Sequence, residues 1–313
     1  MAKTAKIVLL TLLLVSILSL FSFYGCTGAG ITQEGSGTTT PAVDLSQQQL
    51  QQILSEAVMK YENLKTYRFD VDMEIKADVT GGDESGKMTM LTKMSGAENT
   101  ISNEMQAAME MYIGYEGMGE ESGSQSFNYD MYLLTDWLYM KIALTGMGEQ
   151  WMKIPMSPEL AEQFNLNTID QQMAPLDSPV KIEYLRSEEV DGLDCYVLSI
   201  IPDMDELAQW LSEQETVPGD VDWQDLVDYS NIFKKMSYIC YVTKESNLMK
   251  RMVIDMVMDY TAEQAGDYSG EFEAMLMNIK MDMTLYDHDE PFSITLPDEA
   301  ANAIEVSEDM FLN

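Results

Sequence analysis

Acidic side chains are the first candidates for chemistry, because Asp and Glu number 53 against 18 Lys and Arg. A carboxylate pair can work as acid and base, but only when burial or a neighbouring charge separates the two pKa values. At this density, pairs at catalytic spacing arise by chance and none is singled out. No catalytic residue is therefore assigned, and no enzyme is expected. The single histidine, His288, makes a His-rich metal site or a Ser/His/Asp triad a poor fit. The cluster Asp287-His288-Asp289-Glu290 offers oxygen and imidazole ligands to a cation. It stands just before Pro291, where a solvated turn accounts for the same residues. No metal and no cofactor is expected. No strand, glycine-rich loop and helix follow one another as phosphate binding requires.

Methionine is the other unusual residue, with 27 copies. Several fall at every second position of a run: Met105, Met109 and Met111; Met252, Met256 and Met258; Met275, Met277, Met281 and Met283. Such spacing puts the sulfurs on one face of a strand. Thioethers bind soft metals, yet a Met-x-Met strand sends them into one apolar layer, which disfavours a copper site. Two readings stay open. The methionines are ordinary core, or their unbranched, polarizable side chains form an adaptable apolar cavity. Packed cores use shape-specifying Leu, Ile and Val with few Met, and this favours the cavity.

The chain has 313 residues and a formal net charge of −35, with arginine only at 68, 186 and 251. Nucleic acid is a poor partner for such a chain, since phosphate binding needs Lys and Arg to displace counterions. Hydrophobic residues make up 46%, enough to bury a core and to set disorder aside. Lys3 and Lys6 precede an apolar run from Ile7 to Phe23, which reads as an export signal. The run is borderline as a span, because a bilayer core takes roughly 17–25 apolar residues. Gly25-Cys26 follows, and then Gly, Ser and Thr up to Pro41. Lipidation at Cys26, an uncleaved signal anchor, and cleavage a few residues later all fit this arrangement. Each places the rest of the chain outside the cytoplasm. There Cys195 and Cys240 can form a disulfide or remain buried thiols.

The elements that position these residues follow from their periods. Ser46 with Gln49 caps a helix whose apolar face is Leu50, Ile53, Leu54, Ala57, Val58 and Tyr61. Tyr67, Phe69, Val71, Met73, Ile75 and Ala77 alternate with charged residues, the mark of an antiparallel strand with one wet face. The same period recurs over 105–115, 252–260 and 275–285. Shorter strands are expected near 87–94, 127–134, 137–144, 150–154, 180–187, 193–201 and 237–244. Asp191-Gly192 marks a turn. Further helices are expected to open at Ser157 and at Asp203, to cover Asp222 through Lys235, and to start near Pro297. The sum is about ten antiparallel strands and four or five helices, an α+β layout.

The order of elements and several segments resemble a known group: Tyr61-Glu62-Asn63-Leu64-Lys65-Thr66-Tyr67-Arg68-Phe69, Gln150-Trp151-Met152-Lys153-Ile154, and Asp191-Gly192-Leu193-Asp194-Cys195-Tyr196-Val197-Leu198. Tyr241 through Arg251 and the closing Ile294-Thr295-Leu296-Pro297 belong with them. Over about residues 45–306 the chain resembles the LolA-like superfamily, in particular its LppX/LprG-like lipoprotein branch. The Phe23-Tyr24-Gly25-Cys26 segment resembles a lipoprotein signal, with Phe23 and Tyr24 departing from the usual residues. The resemblance implies a strongly curved antiparallel sheet, a half-open barrel, closed by helices over an apolar cavity for acyl chains. It also implies a signal peptide over 1–25, a lipidated Cys26 with a flexible tether over 26–43, and a single LolA-like domain over 44–313. The expected lining is Phe69, Val71, Met73, Met109, Met111, Ile254, Met256, Met277 and Met281. The expected partners are a lipid or other amphiphile, the membrane through the N-terminal anchor, and another envelope protein. The runner-up is an envelope sensor or interaction protein that uses the same fold without a ligand.

Overall fold

The computed structural model describes residues 45–81, 85–118, 121–144, 148–157, 179–203, 232–261 and 273–307. It opens with helix α1 (Gln47–Glu62), capped as the sequence requires. The Ser46 backbone N–H donates to Gln49 Oε1 at 2.9 Å, and the Gln49 N–H donates to Ser46 Oγ at 3.4 Å. Leu50, Leu54, Ala57, Val58 and Tyr61 are buried, one stripe of the helix.

Eleven antiparallel strands follow: β1 (Thr66–Thr80), β2 (Gly86–Asn99), β3 (Glu104–Met118), β4 (Glu121–Leu134), β5 (Trp137–Leu144), β6 (Gly148–Pro155), β7 (Pro179–Val190), β8 (Leu193–Pro202), β9 (Phe233–Thr243), β10 (Met249–Thr261) and β11 (Ala274–Tyr286). β12 (Ile304–Glu305) adds a short parallel pairing to β6. All twelve form one sheet in the order β12-β6-β5-β4-β3-β2-β1-β11-β10-β9-β8-β7. The chain thus steps outward from β1 to β6, restarts at the far edge with β7, and steps inward until β11 meets β1. Among the described residues the two ends of the sheet, β12 and β7, do not join.

The period-two pattern explains the two faces. Along β1 the residues from Tyr67 to Val79 are buried at every second position, and the charged residues between them face outward. The outer face carries cross-strand ion pairs, among them Lys87–Asp78 at 2.6 Å and Arg251–Asp282 with Nε at 2.7 Å. Exposed pairs such as Lys87–Asp78 contribute about 0.2–1 kcal/mol each, so the apolar face supplies most of the stabilisation. Asp191 and Gly192, with φ of 50° and 78°, make the mirror-image turn that matches strand twist in the β7–β8 hairpin.

Several expectations are corrected. Among the described residues the sheet has twelve strands rather than about ten, the two residues of β12 carrying no readable period. Phe233 through Lys235, expected to be helical, begin β9 and pair with β10. The short helix near Pro297 is a 3₁₀ turn, Asp298–Asn302. The helices expected from Ser157 and Asp203, and most of the one from Asp222, fall outside the described residues.

The apolar face and the candidate functional site

Strand register joins the apolar residues into rows across the sheet. One row runs Ile200, Tyr238, Ile254, Met281, Met73, Thr92, Met111 and Phe127, crossing eight strands from β8 to β4. The next runs Cys240, Met252, Met283, Val71, Met94, Met109 and Tyr129. A third contains Met236, Met256, Ile279, Ile75, Met90 and Ile113. Methionines therefore neighbour one another across strands as well as along them, which periodicity within one strand does not reveal.

All nine residues expected to line a cavity lie in this single apolar cluster. Phe69, Val71, Met73, Ile254, Met256, Met277 and Met281 are buried, whereas Met109 and Met111 are half-buried against it. Helix α1 rests on the β7, β9 and β10 side of the face. Its far end is tied down there: Asn247 Nδ2 donates to Glu56 Oε2 at 2.6 Å, and Lys60 donates to the Ser246 carbonyl. On the β3–β4 side the cover is thinner. Met109, Met111, Tyr115, Phe127 and Met131 are all half-buried, a strip of large apolar side chains continuous with the core.

Polar groups on the buried face are few. The Tyr238 hydroxyl donates to Met236 Sδ at 3.8 Å, and burial raises its pKa. The Tyr67 hydroxyl donates to Glu98, whose carboxyl is shifted upward by burial and pulled back by that bond. Thr92 is 5% exposed, and its Oγ1 has no hydrogen-bond partner.

Cys195 and Cys240 are free, buried thiols. Of the two readings left open for this pair, the structure has the buried thiols, because register sends them to opposite faces of the sheet: Cys240 opposes Leu198 in the main cluster, while Cys195 packs with Val197 and Tyr241 on the other side. Burial pushes the Cys240 thiol up to about 12, so it behaves as a small hydrophobe. Cys26 lies outside the described residues. Asp287 pairs with Arg68 at 3.2 Å, and Asp289 Oδ1 accepts from the Lys65 backbone N–H at 2.8 Å. Both carboxylates thus anchor a turn beside β1.

The outer face holds a feature the sequence did not suggest, a groove of about 190 Å³. Its floor is Ser95, Gly96, Ala107 and Ala108, and its walls include Arg68, Tyr132 and Tyr286. Arg68 is fixed there by Asp287 and by the Phe292 ring, 5.1 Å away. The signal was the run of small residues on neighbouring strands, legible only once β2 and β3 are paired.

These observations define an open antiparallel-sheet domain with one wet face and one methionine-rich apolar face. The chain belongs to the family of unknown function DUF6612, whose model matches residues 49–305. No curated protein matches it. Among solved structures it is similar to the Mycobacterium tuberculosis lipoprotein LppX, at 9% identity and a TM-score of 0.40, over 80% of this chain and 100% of that one. It is similar to LprF from Mycobacterium bovis at 12% identity and a TM-score of 0.41, over 79% and 96%. A Pseudomonas aeruginosa MucA/MucB complex aligns at 7% identity and a TM-score of 0.27, over 74% and 56%. No helix among the described residues is long and apolar enough to cross a membrane.

Proposed function

We propose that this protein is an exported, membrane-tethered lipoprotein that binds or carries a lipid or similar amphiphile on its methionine-rich apolar face, within a curved, half-open sheet. Residues 1–25 act as the signal peptide, Cys26 carries the anchor, residues up to 43 form the tether, and 44–313 form the binding domain at the outer surface of the membrane. The observation that carries this reading is the half-buried strip of Met109, Met111, Tyr115, Phe127 and Met131, which extends the core to the surface. A strip of this kind stays in contact with water until something apolar covers it. Each acyl CH₂ that moves from water onto it contributes about 0.8 kcal/mol. Methionine suits the task, because its flexible side chain repacks around chains of different length.

The test is native mass spectrometry of protein purified without detergent, together with uptake of a fluorescent fatty-acid probe. Lipid adducts and saturable uptake are the expected results. Bare protein that takes up no probe would sink the carrier reading and favour an envelope sensor or interaction protein with a filled core.

A further inference from the structure

Thr92 occupies the middle of β2 with its side chain on the buried face. Register sets it between Met73 on β1 and Met111 on β3, with Met90 and Met94 on the same face of its own strand. Its Oγ1 has no hydrogen-bond partner, the surrounding sulfurs included. A buried hydroxyl left unpaired bears its full desolvation cost, and a group of the same shape without it avoids that cost. Valine would fill the position equally well and is a better strand residue. Among the described residues, the other fully buried polar side chains are engaged by the chain itself: Thr66 Oγ1 donates to the Glu290 carbonyl at 2.8 Å, Thr243 Oγ1 donates to the Leu248 carbonyl at 3.3 Å, and Lys250 pairs with Asp191 at 3.3 Å; the other unpartnered buried atom, Nε2 of the half-buried His288, lies in the turn after β11 and not on this face. Thr92 is thus a donor aimed into an apolar layer, and it stands one strand interval, about 4.8 Å, from the half-buried strip at Met111.

We propose that the Thr92 hydroxyl donates a hydrogen bond to the carbonyl oxygen of a neutral acyl ester bound along this face, an inference that rests on the lipid-binding reading above. The ligand's head lies at the β3–β4 strip, its ester carbonyl meets Thr92, and its acyl chain follows the row through Met73, Met281 and Ile254. Charge selects the ester over the free acid. One hydroxyl cannot compensate a buried carboxylate, and a chain of net charge −35 repels anions. An ester carbonyl accepts strongly and carries no charge, and it sits where the polar and apolar parts of such a lipid meet.

The test compares wild type, Thr92→Val and Thr92→Ser with three probes: cis-parinaric acid methyl ester, cis-parinaric acid, and diphenylhexatriene, which has no polar group. Wild type is expected to bind the ester more tightly than the acid at neutral pH. Thr92→Val should weaken the ester about three- to tenfold, the worth of one hydrogen bond. It should leave diphenylhexatriene unchanged and raise the melting temperature of the unliganded protein. Thr92→Ser, which keeps the donor, should stay close to wild type. Unchanged ester affinity in Thr92→Val, or equal losses for ester and hydrocarbon, overturns the assignment of Thr92 while leaving the lipid-binding reading standing. Failure of wild type to bind any of the three probes overturns both.

Discussion

Gly96 offers a sharp test of how the apolar face is packed. It sits on β2 in a row with Leu285, Phe69, Ala107 and Met131. A Cβ added there would overlap the tip of the Phe69 ring, with Cε2 2.9 Å away, and would lie 2.5 Å from the Gln106 carbonyl oxygen. The ring has little freedom to swing, being 1% exposed with the Tyr67 ring centred 6.2 Å away. The carbonyl is backbone, so relief would require β3 to shift. Overpacking of this kind costs about 1–3 kcal/mol, against which Gly→Ala recovers roughly 0.4–1 kcal/mol by restricting the unfolded chain. Gly96→Ala should therefore lose about 1–2 kcal/mol, a fall of roughly 2–8 °C in Tm for a domain of this size. Urea titration followed by circular dichroism measures it. Adding Phe69→Leu, which removes the ring, should lower the cost of the alanine, so the double variant is more stable than the two single losses predict. A Gly96→Ala protein as stable as wild type, or additive losses in the double variant, would refute this packing.

Two further predictions concern pH. His288 Nε2 is buried without a partner, and burial first, then Lys250, lowers the imidazole pKa below its ordinary 6.5. The unfolded chain then takes up the proton before the folded one does, so stability is full above pH 6.5 and declines as pH falls below it; Tm measured from pH 7.5 to 5 should show this, and His288→Gln should flatten the His288 part of the slope. Glu98 has the opposite sign: its pKa is raised above 4.5, so its contribution is full below that value and is lost as pH rises through the folded pKa. Glu98→Gln, which still accepts from Tyr67, should be the more stable form at pH 7 by chemical denaturation, and a less stable variant there would contradict the burial argument.

Much of the fold was legible because its signals are local. The Ser46–Gln49 capping box and the apolar stripe from Leu50 to Tyr61 define α1 without reference to anything else. The alternation from Tyr67 onward and from Met275 onward defines β1 and β11, since a strand with one wet face must repeat every second residue. Phe233 through Lys235 read as helix in the sequence because a few residues at a strand end hold too little period to outweigh a neighbouring helical pattern. Of the candidate site, the face to which Met73, Met256 and Met277 belong could be read from parity alone. The half-exposure of Met109 and Met111 could not, because it depends on how far other parts of the molecule reach across the sheet.

Composition, charge and period-two patterning by themselves determined an antiparallel sheet with a methionine-rich side and an acidic side. They did so because side-chain direction in a strand follows residue parity, a property of the backbone alone. Only the tertiary structure decided which residues meet across strands. It placed β1 beside β11, about two hundred positions later in the chain, set Cys195 and Cys240 on opposite faces, put the Phe69 ring over Gly96, and left the Thr92 hydroxyl among methionines. Pairing between distant segments is fixed by the summed burial of the whole face, and no local stretch of sequence contains that sum.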